Sequence, residues 1–346
     1  MSRTSESTWR TRASRFPGVL VAGITAMISG VSVFVNSFGV HAVTSPAVYT
    51  TAKNLVATLV LMFAAAVGWW ARRRFAATAP ANFVSVAPRD DDGPSARAGA
   101  RERGSSTWTI ARWLSVTYVG VIGGGLAFVL FFQGLSQSPP ASAAFWRDTL
   151  VVWVAVLAIP LLHERIRWWN VLAVVLLVTG EITVSGGVGQ LAANRGELDV
   201  LAATVLWAGE VVIAKRMLRD VSPAVLSLVR MGVGGVALVA YLAVTGSLGS
   251  LVSLNTHQVM WAVWSGLLLA AYVATWMTAL ARARALDVTS VLVASALVTW
   301  LLQLLDGSAT PAPTSLGLVL IGAGAGVVVW AGTNRPAAER RSVLGP

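Results

Sequence analysis

Six charged residues stand inside otherwise apolar stretches of this chain: the cations Lys53, Arg147 and Arg230 and the acids Asp148, Glu181 and Glu210. A charge in a bilayer interior is expensive, and such residues pair with one another, face water or mark a substrate path. Three cations against three acids permit full neutralisation. Two readings are open at this level: the charges hold helices together, or they bind a substrate carboxylate and change partners as helices move. Polar stripes accompany them. Thr25, Ser29, Ser32 and Asn36 recur at helical spacing, as do Thr50, Asn54 and Thr58 beside Lys53, and Ser295, Thr299, Gln303 and Asp306. Each stripe is expected to face a central cavity. Trp146, Trp153, Trp207, Trp261, Tyr272 and Trp276 can supply aromatic walls for an amphipathic or cationic ligand.

Other chemistries find no residues. The chain has no cysteine, and its 3 histidines are scattered, so thiolate, redox and clustered metal sites are not expected and no cofactor is predicted. Gly123-Gly124-Gly125 lies inside an apolar run with no Lys-Ser/Thr after it, which fits close helix packing and not a phosphate cradle. Without a nucleotide-binding loop, any drive must come from a gradient or a partner. No nucleophile with a base and no HExxH appears, which disfavours a membrane-embedded lipid-modifying enzyme.

The elements that carry these residues follow from composition. In 346 residues, 55% are hydrophobic and 12% charged, the balance of a chain living mostly in lipid. A bilayer core of about 30 Å takes about 20 apolar residues per helix. Apolar runs predict ten spans, near residues 17–38, 47–70, 113–135, 141–162, 168–187, 197–215, 223–245, 258–281, 287–306 and 314–332. The net charge of +11 comes from Lys and Arg in alternate loops. Arg10, Arg12, Arg15, the Arg72–Arg74 run, Arg165, Lys215, Arg216, Arg282 and Arg340 fall on one side, and the opposite loops hold Arg195 alone. This asymmetry predicts both termini in the cytoplasm and a multi-pass protein of the cell inner (plasma) membrane, and it accounts for the basic charge without nucleic acid. Trp69, Trp70, Trp113, Trp168 and Trp169 fall where interfacial anchors belong.

The expected organisation is a cytoplasmic start at 1–16, a first five-helix repeat at 17–187, a second at 197–332 and a tail at 333–346. Residues 75–106, rich in Ala, Pro, Arg and Gly, read as a disordered cytoplasmic loop within the first repeat. The repeat is read from Ser45-Pro46-Ala47-Val48 and Ser222-Pro223-Ala224-Val225, which open the second and seventh spans. Lys53 follows Pro46 by seven residues, and Arg230 follows Pro223 by the same spacing. Five is odd, so the halves must be inverted in the membrane. Depth along the helices then predicts two charge clusters, with Lys53 pairing Asp148 and Arg230 pairing Glu210. Arg147 and Asp148 diverge by roughly 100° on a helix and are not expected to pair with each other.

Phe131-Phe132-Gln133-Gly134-Leu135, Ala141-Ser142-Ala143-Ala144 and Pro160-Leu161-Leu162-His163-Glu164-Arg165 resemble the third and fourth helices of the drug/metabolite transporter superfamily, in its EamA-type ten-helix branch. Gly196-Glu197-Leu198, Leu206-Trp207-Ala208, Thr278-Ala279-Leu280-Ala281 and Ser290-Val291-Leu292 resemble its sixth, eighth and ninth helices. The resemblance spans about residues 16 to 333. It implies an all-α integral membrane fold of two inverted five-helix repeats and secondary transport, as an exporter, of a small metabolite such as an amino acid or related compound. The substrate-binding or gating candidates are Ser32, Asn36, Lys53, Asn54, Trp146, Arg147, Asp148, Trp207, Glu210, Arg230, Tyr272, Trp276, Thr299 and Gln303. Protons are a candidate coupling ion through Asp148 or Glu210. A non-transporting receptor or scaffold that uses the long loop is the alternative, and oligomeric state is left open.

Overall fold

The computed structural model describes residues 18–43, 45–78, 110–138, 143, 146–162, 164, 168–184, 194–307 and 315–333. The N-terminal segment, most of the loop expected at 75–106, and the C-terminal tail from 334 lie outside the described residues, as does the side chain of Glu181. Among the described residues there is no strand. The long helices are α1 (Gly18–Ala42), α2 (Pro46–Thr78), α3 (Ile110–Gln137), α4 (Leu150–Leu162), α5 (Trp168–Val184), α6 (Arg195–Met217), α7 (Pro223–Val244), α8 (Thr256–Arg282), α9 (Ala285–Leu305) and α10 (Ser315–Thr333), with a short helix Leu248–Val252 between α7 and α8. Six of them, α1, α2, α3, α7, α8 and α9, are long and apolar enough to cross a membrane. By contrast α4 has 13 residues, and α6 carries Glu197, Asp199, Glu210 and Lys215 along its length. Large apolar side chains such as Phe63, Val236 and Leu305 are exposed, as they are when lipid is the outer solvent.

The duplicated Ser-Pro-Ala-Val has a local physical reason. Ser222 caps α7, its hydroxyl accepting the Val225 N–H at 3.4 Å, and Pro223 occupies the first turn, where a missing N–H costs nothing. Ser45 does the same for α2 through the Val48 N–H at 3.5 Å. Asn255 starts α8 with a capping box to Gln258, whose amide also donates to the Ala42 carbonyl at the end of α1.

Packing follows a regular exchange. The contact of α1 with α8 is matched by that of α6 with α3, and α2 with α8 is matched by α7 with α3. Between these, α2 meets α7, α4 meets α9 and α5 meets α10. Advancing every helix by five places maps this set of contacts onto itself. The match reaches single residues. A Cβ added to Gly124 of α3 would overlap the Arg230 carbonyl oxygen on α7, and one added to Gly266 of α8 would come within 2.9 Å of the Lys53 carbonyl oxygen on α2. Glycine lets the two backbones touch at both places.

Two helices depart from regularity. The middle of α3, Tyr118–Leu126, is a π-helix containing the glycine triplet. In α9 the chain tightens at Ala294, whose N–H turns back to Val291 O at 3.1 Å, dividing the helix into Ala285–Val293 and Ser295–Leu305. Both breaks lie beside the cavity described next.

Candidate functional site

The π-helical turn of α3 presents Gly123 O sideways, and Trp207 of α6 donates its indole N–H to it at 3.0 Å. Beside it, Arg230 of α7 forms a two-point ion pair with Glu210 of α6: Nε donates to Oε1, and Nη2 to Oε2 at 3.1 Å. Both side chains are almost wholly buried, and the guanidinium lies 5.2 Å from the Phe128 ring. The glycine at 123 is required here, because a Cβ would collide with the Glu210 carboxylate. This is the pair that spacing predicts.

The other predicted pair, Lys53 with Asp148, is not formed. Asp148 takes two bonds to Oδ1 from its neighbour Arg147, from Nε at 2.9 Å and Nη at 2.6 Å. The divergence of roughly 100° holds for the Cα–Cβ directions only. Arginine's long side chain folds back across the divergence, although both residues are in a helical turn just before the irregularity at Thr149 that precedes α4. The same guanidinium donates to Ser295 Oγ of α9 at 3.1 Å.

Lys53 is left to a different environment. Its Nζ donates to Asn36 Oδ1 of α1 at 3.1 Å, and that oxygen also accepts the Tyr49 hydroxyl at 2.7 Å. The ammonium sits 3.8 Å from the Phe132 centroid, with Tyr49 and Phe128 at 5.3 and 5.8 Å. No described carboxylate forms an ion pair with it.

These groups share one cavity of about 120 Å³. Ser32, Asn36, Lys53, Arg147, Asp148, Trp207, Glu210, Arg230, Tyr272 and Trp276 all line it, so the two expected charge clusters are one site. Tyr272 and Trp276 stack at 6.0 Å and form part of its wall. Four candidates are not among the lining residues: Asn54, Trp146, Thr299 and Gln303. Of their stripes, Thr50 and Thr58 return their hydroxyls to Pro46 O and Asn54 O of their own helix. Thr299, in the half of α9 that follows the turn at Ala294, donates to Gly30 O on α1 at 3.0 Å, while the preceding half supplies Thr289, Leu292 and Val293 to the cavity. Of the other expected wall residues, Trp153 does not line the cavity, and Trp261 stacks on Phe38 at 6.1 Å. The aromatic residues that sequence reasoning missed are Phe128, Phe131 and Phe132. Their signal was the cluster of aromatics on α3 shortly before Gly134, visible only as part of a family motif.

One end of the bundle is tied by polar contacts. Glu164, just past α4, accepts the Ala285 and Leu286 N–H groups at the start of α9, at 3.0 and 3.4 Å. Lys215 at the end of α6 donates to Leu280 O and Ala283 O at the end of α8, at 2.6 and 2.7 Å. An acid at a helix start and a cation at a helix end each match the helix dipole.

A model of the EamA-like transporter family matches residues 99–186 and again residues 194–330. The chain belongs to that family. Its two matches fall on α3–α5 and α6–α10, so the family pattern occurs twice along the chain. Membership makes it a membrane transporter acting on a small molecule in a lipid environment. Among solved proteins, one crystal structure shares 17% identity at a TM-score of 0.61, covering 90% of this chain and 97% of its own, which is a likeness of fold. No curated protein matches the sequence.

Proposed function

We propose that the protein is a secondary transporter that exports a small metabolite, an amino acid or related compound, by alternating access. The observation that carries this reading is a shared cavity to which both halves contribute, with Lys53 and Arg230 brought to it from equivalent positions on α2 and α7. In this reading α1–α5 and α6–α10 are two inverted five-helix repeats, all ten helices span the membrane, and the halves exchange conformations by rocking about the site. The five-place exchange in helix packing supports it. Both termini and the end tied by Glu164 and Lys215 face the cytoplasm, and the protein resides in the inner (plasma) membrane, in keeping with the placement of Lys and Arg. With that end closed, the tied contacts must open for cargo to load from the cytoplasm. If protons drive export, they pass through Asp148 or Glu210, the acids of the cavity wall.

The test is flux. Purified protein in sealed vesicles, preloaded with one unlabelled compound at a time from amino acids and their oxo, acyl and amide relatives, is expected to give saturable counterflow of the labelled compound. An imposed pH gradient is expected to accelerate it. Absence of saturable flux for the whole panel, from protein that remains monodisperse and folded, would overturn the reading.

A further inference from the structure

The cavity wall carries an unequal charge. Arg147 is joined to Asp148, and Arg230 to Glu210, each through two donor atoms, so these four residues sum to zero. Lys53 is the fifth charge on the lining and has no matching acid among the described residues. Its ammonium has three N–H donors. One goes to the neutral amide oxygen of Asn36, and no described acceptor takes the other two. The ring face of Phe132 stabilises the cation without cancelling it. In the second half the corresponding cation, Arg230, meets a carboxylate on the preceding helix; in the first half the preceding helix offers Asn36 instead. The two halves therefore share the contact and differ by one negative charge.

A buried charge is tolerated when a counter-charge completes it. An ammonium group on a ligand finds no equivalent welcome, because both wall carboxylates are already held by arginines. We propose that the ligand of this cavity is an organic monoanion. Its carboxylate meets Lys53 Nζ, and its uncharged, apolar or aromatic body lies against Phe128, Phe132, Tyr272 and Trp276. This rests on reading the cavity as the transport site and narrows the cargo to compounds of net charge −1, such as a deaminated or N-acylated relative of an apolar amino acid.

Three probes share one body and differ in charge: 3-phenylpropionate, L-phenylalanine and phenethylamine. Binding of each, labelled, to the purified full chain is measured by scintillation proximity, and flux of each in vesicles. 3-Phenylpropionate is expected to bind at least ten times more tightly than the other two. Lys53→Ala should weaken it by about 10- to 100-fold, the worth of one charge-assisted hydrogen bond, whereas Lys53→Arg should keep most of the affinity. Failure of all three to bind, equal or tighter binding of phenylalanine or the amine, or unchanged anion affinity in Lys53→Ala would overturn the proposal; loss of affinity in Lys53→Arg as complete as in Lys53→Ala, with both variants folded, would do so too. Anion-selective binding with no flux would overturn the transport reading and leave the anion site standing. Flux of phenylalanine without anion preference would do the reverse.

Discussion

Removing Arg230 should cost far more than removing Arg230 and Glu210 together. The two side chains are 6% and 4% exposed and meet through two bonds, so solvent screens their attraction little. In Arg230→Met the Glu210 carboxylate remains in place with no cation, and breaking a buried pair in this way costs about 3–5 kcal/mol. Glu210→Gln is milder, about 1–3 kcal/mol, because the guanidinium keeps one amide oxygen and the Gly123 carbonyl at 3.5 Å. Glu210→Gln with Arg230→Met leaves no charge at all, and a neutral replacement of similar volume is often isoenergetic with the pair. The double variant should therefore lie within roughly 1–2 kcal/mol of wild type, giving a coupling of at least about 2 kcal/mol in a double-mutant cycle. Reversible unfolding in mixed micelles supplies the stabilities, and vesicle flux runs in parallel. If Arg230→Met loses less than about 1 kcal/mol, or the double variant is no more stable than the worse single one, the argument from buried charge fails. A stable double variant that no longer transports would show that the pair acts in the cycle as well as in the fold.

Other expectations follow from single contacts. Gly124→Ala should separate α3 from α7 and lose about 2 kcal/mol or more with most of the flux, whereas Gly249→Ala, whose added Cβ meets nothing within 4 Å, should be silent by the same micelle unfolding assay. Glu164→Ala removes the acceptor for two N–H groups of α9 and should cost about 1–2 kcal/mol, with faster hydrogen exchange at Ala285 and Leu286 as its local signature. Since the chain has no cysteine, single cysteines at the exposed positions Arg219 and Asn255 should label with an impermeant maleimide from opposite sides of oriented vesicles; labelling from the same side would break the proposed topology.

Features governed by local rules were legible before any coordinates. Pro46 and Pro223 begin helices because a Ser cap followed by Pro is a start signal wherever it occurs, and the matched spacing to Lys53 and Arg230 put both cations on the cavity wall. Glu210 and Arg230 could be paired because they sit at one depth on adjacent helices. Features set by side-chain reach or by which neighbouring helix lies alongside were not legible. Arg147 bends back to Asp148 through rotamers that a helical wheel ignores. Thr299 shares a regular helical segment with Ser295, yet its hydroxyl goes to Gly30 O of α1, a neighbour that a stripe drawn on one helix does not show. The rings of Phe128 and Phe132 look like ordinary apolar content of a span, and only the arrival of Lys53 from another helix makes them a cation's surroundings.

The exchange of partners between halves has a consequence for synthesis. The long face of α1 is covered by α8, and that of α3 by α6, so the first half leaves the ribosome with its broadest surfaces uncovered. Glycines such as Gly18 and Gly30, which take their neighbours from Ala283 and Val298, wait for almost the whole chain to be made. Neither half has a finished core of its own. A chain truncated after α5 should therefore be held by the insertion machinery or degraded, and folding becomes a late event that joins two unfinished halves once α8 and α9 have been made.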